Sequence, residues 1–173
     1  YDTRIVLELL TRSLTGNRPK LPDSAEACSD WNSIAYAPLC HARFLRAFAD
    51  SHAESADCLA LHRRTDPEMA LADFRSTPKF NPRLWRLFES GTEDTGCLLL
   101  NHHPDEAALE IAYLGFKPPY RGCGWGQRAM AVAFSEASRL DCQRINVGVD
   151  AQNTAAQHLY ARWGFWCFSR QQV

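Results

Sequence analysis

The chain has 173 residues, 46% hydrophobic and 23% charged, which is enough apolar material for one globular domain with a core of its own. Nineteen Lys and Arg offset twenty Asp and Glu for a formal net charge of −1, so no basic field exists to hold a polyanion, and nucleic acid is not expected as a partner. No apolar run approaches the roughly 18–20 residues of a membrane span and no signal-peptide pattern opens the chain, so a cytoplasmic protein without a membrane partner is expected.

In chain order, residues 3–14 (TRIVLELLTRSL) are apolar enough for a strand or a short helix, and residues 16–30, with Gly16, Asn17 and two prolines, read as a linker. Residues 33–37 suit a short strand. Pro38 then stands at the first turn of a helix carrying Phe44, Leu45 and Phe48 on one face. Asp66 caps a second helix that Pro67 opens and that runs to Arg75, with Met69 and Phe74 expected inward. LWRLFES, TGCLLLNHH and LEIAYLGF, separated by turn residues, form an antiparallel meander. Pro118 and Pro119 must end its ladder just after Phe116. A loop, YRGCGWG, leads into a helix over 125–140 with Met130, Ala133, Phe134 and Ala137 at helical spacing. QRINVGV is the next strand, residues 154–163 the last helix, and GFWCFSRQQV a closing strand. The pattern is mixed α/β with a largely antiparallel first half.

The seven cysteines are odd in number and scattered without a C-x-x-C pair, so neither a disulfide framework nor a metal site is expected. His102 and His103 would point to opposite faces of a strand and read as solvated hairpin residues.

The chemistry concentrates in Arg121-Gly122-Cys123-Gly124-Trp125-Gly126-Gln127, a glycine-rich loop opening a helix, where unpaired backbone N–H groups and the positive helix end favour a phosphate. Arg121 can add a charge-assisted contact. A dinucleotide-binding turn would need a third glycine where Gln127 stands. A methyltransferase glycine loop should leave its strand at once, whereas residues 118–121 intervene, and only 23 residues follow the acid that family would need, Asp150.

R-G-C-G-W-G, followed after INVGV by Asn153-x-x-Ala156-x-x-Leu159-Tyr160-x-x-x-Gly164-Phe165, resembles the GNAT superfamily of acetyl-CoA-dependent N-acetyltransferases. The resemblance covers residues 31–173 in element order and 107–168 in motif detail. It implies a GNAT-like, mostly antiparallel central sheet with helices on both faces, acetyl-CoA as cosubstrate and no metal. It also implies that Leu114, Gly115 and Phe116 pair with the pantetheine and polarise the thioester carbonyl, that Arg121, Gly122, Cys123, Gly124, Trp125, Gly126 and Gln127 cradle the diphosphate, with Trp125 as a candidate cover for the coenzyme, and that Asn153 and Ala156 line its arm. The acceptor implied is a primary amine of a small molecule or peptide, bound in part by the loop at residues 51–65, whose Glu54, Asp57, Arg63 and Arg64 suit a polar ligand or, equally, a solvated loop.

Acylating an amine of pKa about 10.4 at pH 7 requires removing a proton at a cost of roughly 4–5 kcal/mol. Glu110, a carboxylate within the most apolar strand, is the candidate base; alternation puts it on one face with Ala112, Leu114 and Phe116. Tyr160 is the candidate acid for the leaving thiolate. Cys123 at the helix start leaves an acyl-enzyme route as a minor alternative, and a non-catalytic coenzyme A-binding module is the alternative to the enzyme as a whole. A full fold of this family closes with two strands after the last helix, and only eight residues follow Phe165. Residues 3–10 have the look of such a closing strand. The chain is therefore expected to comprise a GNAT domain at 31–173 and, at 1–30, a strand and linker resembling the tail of a preceding domain. That strand either covers an edge, within the chain or by exchange in a homodimer, or pairs only with the preceding domain.

Overall fold

The computed structural model describes residues 5–15, 30–52 and 66–172. In chain order these form β1 (Val6–Ser13), β2 (Trp31–Ala35), α1 (His41–His52), α2 (Pro67–Ser76), β3 (Trp85–Ser90), β4 (Glu93–His103), β5 (Ala108–Phe116), α3 (Trp125–Arg139), β6 (Arg144–Asp150), α4 (Thr154–Arg162) and β7 (Trp166–Gln172). The strands join one sheet in the order β2-β3-β4-β5-β6-β1-β7. Every neighbouring pair is antiparallel except β5 and β6, which α3 connects as a crossover. The expected linker and most of the 51–65 loop lie outside the described residues. No helix among the described residues is long and apolar enough to cross a membrane.

Local signals account for most boundaries. Pro38 opens a 3-10 turn (Pro38–Cys40), and α1 follows directly from it. Asp66 accepts a hydrogen bond from the Glu68 amide at 3.3 Å and Pro67 takes the first position of α2, where its missing N–H costs nothing. Two expectations shift. The second strand occupies Trp31–Ala35, because Trp31 pairs with Ser90 and the ladder ends at Ala35 opposite Arg86. Met69 is 62% exposed while Leu71 is the buried residue of α2, so the inward stripe is offset from the one read by spacing.

The sheet separates two cores. On one face Phe44, Ala47 and Phe48 of α1 and Leu71 of α2 pack on Trp85, Leu87, Cys97 and Leu99. On the other, Ala129, Met130, Ala133, Phe134 and Ala137 of α3 and Tyr160 of α4 pack on Leu98, Leu100, Leu109, Ile111, Ile145 and Val147. Each fully buried Phe or Leu contributes about 1.5–3 kcal/mol, so the helices are held by these stripes rather than by intrinsic propensity.

β1 is inserted between β6 and β7. It pairs with both, Leu7 with Asp150 and Gln171, Thr11 with Asn146 and Trp166, so the first described strand binds two strands from the far part of the sequence. Thr11 Oγ1 also donates to Asn146 Oδ1 at 2.7 Å.

Two irregularities in β5 prepare the site. Opposite β4, Leu99 pairs with Tyr113 but Leu100 with Ile111, so Ala112 is an extra residue and the strand bulges there. Opposite β6, pairing runs only from Ala108 with Arg144 to Ile111 with Val147, and stops.

Candidate active site

Past Ile111, β5 keeps its ladder with β4 but has no paired residue on β6, and the two strands open into a cleft of about 930 Å³. Its floor is Tyr113, Leu114, Gly115 and Phe116; one wall is the loop 120–124 and the start of α3, the other Asn153 and α4. A strand edge with amide and carbonyl groups and no neighbouring strand is a hydrogen-bonding strip for an extended, amide-bearing ligand.

The loop ends in Gly124, which caps α3 at φ +86°, a conformation that strains any residue with a Cβ. The first intrahelical bond is from the Arg128 amide to the Gly124 carbonyl, so the amides of 125–127 have no acceptor within the helix and form a short nest at its positive end. Gly126 serves packing as well, since a Cβ there would meet Leu159 Cδ2 at 3.1 Å and push α4 off α3.

Of the residues singled out by sequence, Leu114, Gly115, Phe116, Arg121, Gly122, Gly124, Gly126, Gln127, Asn153, Ala156 and Tyr160 line this cleft, and Glu110, Cys123 and Trp125 do not. Trp125 turns inward, nearly fully buried against Phe116 and Tyr120, so its side chain is core rather than a lid. Cys123 is exposed, its thiol 3.3 Å from the Arg121 carbonyl, and it does not line the cleft, so the geometry gives no support to an acyl-enzyme there. Arg121 donates to the Phe116 and Ser51 carbonyls, both at 3.0 Å, and so ties the loop to the end of α1 and to β5. The Gln127 side-chain carbonyl accepts from Trp163 Nε1, and Asn153 caps α4 by accepting from the Ala156 amide at 3.1 Å.

Glu110 stands in the paired part of β5, before the opening. The bulge at Ala112 reverses the alternation beyond it. Leu114 and Phe116 therefore face the α3 core, while Glu110 shares the α1 face with Ala112, Tyr113 and Gly115. A simple period of two groups Glu110 with Leu114 and Phe116; one extra residue overturns that grouping.

The cleft also holds residues that spacing did not bring forward, chiefly Ser51 and Tyr113. Tyr113 folds back over Gly115, its hydroxyl 2.7 Å from Ser51 Oγ and 3.3 Å from His52 Nδ1, with the His52 ring stacked at 4.7 Å. Ser51 Oγ donates to the Phe48 carbonyl, so it receives its hydrogen bond from the Tyr113 hydroxyl. Beneath them the Cys97 thiol is fully enclosed, and burial pushes its pKa well above the ordinary thiol value.

The model of the acetyltransferase (GNAT) family matches residues 45–165. A mycothiol acetyltransferase from Beutenbergia cavernae is 31% identical over 154 residues, covering 82% of this chain and 51% of its own. An uncharacterized N-acetyltransferase of Bacillus subtilis, YycN, is 30% identical over 84 residues, 47% of this chain and 54% of its own. The chain thus spans about half the length of these curated relatives. Among solved structures, a GCN5-related N-acetyltransferase from Sphaerobacter thermophilus superposes with a TM-score of 0.70 at 19% identity, over 99% of this chain and 51% of that one. The ribosomal-protein-S18-alanine N-acetyltransferase of Escherichia coli does so at 0.60 and 12% identity, over 78% and 76%.

Proposed function

Since the chain belongs to the GNAT acetyltransferase family, we propose that it moves an acetyl group from acetyl-CoA directly to a primary amine of a small molecule or peptide. The observation that carries this reading is the unpaired length of β5 beyond Ile111 lying beside the first turn of α3. It fits both halves of the coenzyme: a strip of backbone groups for the amides of the pantetheine arm, and a nest of helix amides for the diphosphate.

In this reading Leu114, Gly115 and Phe116 bind the arm through backbone groups and polarise the thioester carbonyl, the loop 121–127 takes the diphosphate, and Asn153 and Ala156 flank the arm. Cys123 and Trp125 contribute backbone only, since neither side chain lines the cleft. Bound acetyl-CoA supplies the activated acyl group. Glu110 takes the proton that an alkylammonium must lose, directly or through water, and Tyr160 gives a phenolic proton to the departing sulfur. Tyr160 lines the cleft from α4 and is itself nearly fully buried, which suits a proton donor held in one orientation. The α1 face shared by Glu110, Tyr113 and Gly115 would then be the acceptor side.

Release of free coenzyme A thiol, followed while the protein is incubated with acetyl-CoA and a panel of amines, tests the proposal. The panel includes amines related to mycothiol, because a similar protein bears that name. Release that depends on the amine supports the reading. Saturable acetyl-CoA binding with no release for any amine favours a coenzyme-binding module, and absence of binding refutes both.

A further inference from the structure

We propose that Asn101 and His103, on β4, are positioning residues that fix the Glu110 carboxylate so that one of its two oxygens is presented for proton abstraction. The inference rests on the reading of Glu110 as base and adds to it the residues that aim the base.

In the β4/β5 ladder Asn101 stands directly opposite Glu110, and His103 lies two residues further along β4, so all three side chains share one face. Asn101 Nδ2 donates to Glu110 Oε2 at 3.3 Å, and His103 Nε2 lies 2.8 Å from the same oxygen. Both donors converge on Oε2. Among the described residues no such donor reaches Oε1, so the carboxylate is held by one oxygen and offers the other. Glu110 needs such a hold: its side chain is 41% exposed and, unaided, would spread over several rotamers. Asn101 is only 8% exposed and His103 22%, so the two donors are the rigid partners and the glutamate the mobile one.

The direction of the contact is the same for either charge of the imidazole. An ionised carboxylate only accepts, so Nε2 must carry hydrogen. A neutral His103 is thereby confined to the tautomer with its hydrogen on Nε2, and a protonated one donates from the same atom. In both states the carboxylate stays in place. His103 is accordingly half-buried and bonded, which departs from its reading as a solvated hairpin residue.

The test measures kcat and KM for amine and acetyl-CoA, as a function of pH, in Glu110→Gln, His103→Ala, His103→Gln and Asn101→Ala. If the proposal holds, His103→Ala lowers kcat by about tenfold near neutral pH, part of the roughly 10²–10⁴-fold that a positioned base supplies. KM for acetyl-CoA stays unchanged. The deficit shrinks toward high pH, where the amine loses its proton unaided, and His103→Gln, which restores a donor, recovers much of the rate. A deficit that is the same at every pH, or one carried by KM for acetyl-CoA, means a structural role only and overturns the proposal. Asn101 is buried, so its variant is read only if it folds; His103, nearer the surface, carries the test alone if it does not. If Glu110→Gln is impaired but both His103 variants match the wild type, the positioning role fails while the base role stands. If Glu110→Gln is itself unimpaired, the base role fails and the positioning role with it.

Discussion

Substituting Gly115 by Ala probes the floor of the cleft with a single methyl group. An added Cβ would run into the Tyr113 hydroxyl, with Tyr113 Cζ and Ser51 Oγ each 2.8 Å away, separations that a real Cβ does not tolerate. The backbone of Gly115 is pinned by its pairing with Cys97, so the Tyr113 ring must give way. Moving it breaks the hydrogen bond to Ser51 at 2.7 Å and the one to His52 at 3.3 Å. Each neutral hydrogen bond contributes about 0.5–1.5 kcal/mol and overpacking costs about 1–3 kcal/mol, so the substitution should destabilise by roughly 2–6 kcal/mol. For a chain of this size that lowers Tm by about 4–24 °C. Calorimetric melting checks it, with Tyr113→Leu as the partner variant. Because Tyr113→Leu removes the ring that the methyl meets, Gly115→Ala should cost clearly less in that background, a coupling measurable by a double-mutant cycle. An unchanged Tm for Gly115→Ala, or strict additivity of the two changes, would refute the packing argument.

Gly124→Asp should weaken acetyl-CoA binding by roughly tenfold or more, since it adds a Cβ at φ +86° and a negative charge where the diphosphate is proposed to sit; unchanged affinity in titration calorimetry would remove the cradle. Glu110→Gln should lose turnover most at low pH and recover at high pH, and equal activity at pH 7 would count against the base. Tyr160→Phe should lower kcat and spare coenzyme affinity; a loss of affinity instead would mark the ring as packing. The Cys97 thiol is held neutral by burial, so its pKa in the fold lies above the unfolded value near 9. Its contribution to stability is full below about pH 9 and is lost as the unfolded thiol ionises above it. Melting temperature should therefore fall above pH 9 by less in Cys97→Ala than in wild type, while the exposed Cys123 and Cys167, but not Cys97, take up a thiol reagent in the native state.

Much of this architecture was legible because two periodicities, one helical and one of strands, change over at prolines and glycines. Pro118 and Pro119 announce the end of the β5 ladder, and Asp66-Pro67 announces a helix start. The glycine-rich loop opening a helix was equally legible, and it does form one wall of the cleft. What escaped depends on contacts distant in sequence. Nothing in LEIAYLGF marks Ala112 as the extra residue, because the bulge is a property of the pair β4 and β5, and missing it grouped Glu110 with Leu114 and Phe116, which face the other core. Trp125 resembled a cover for the ligand, yet its ring is drawn into the core by Phe116 and Tyr120. Tyr113 and Ser51 meet across 62 residues of sequence, and His103 reaches Glu110 only once the register is set.

The seat of β1 between β6 and β7 also sets an order of events in folding. Its partners lie far along the sequence: Thr11 pairs with Asn146, 135 residues away, and β7 has no strand other than β1 to pair with among the described residues. The meander of β3, β4 and β5 closes through short turns and can form early, whereas the half of the sheet that carries α4, and with it Tyr160, is sealed by the most remote strand pairing among the described residues. Loop-closure entropy is spent before those contacts return anything, so assembly of the cleft's second wall should be the slow phase of refolding. Changes in β1, which contributes no residue to the cleft lining, would then register in how fast the cleft forms rather than in its finished shape.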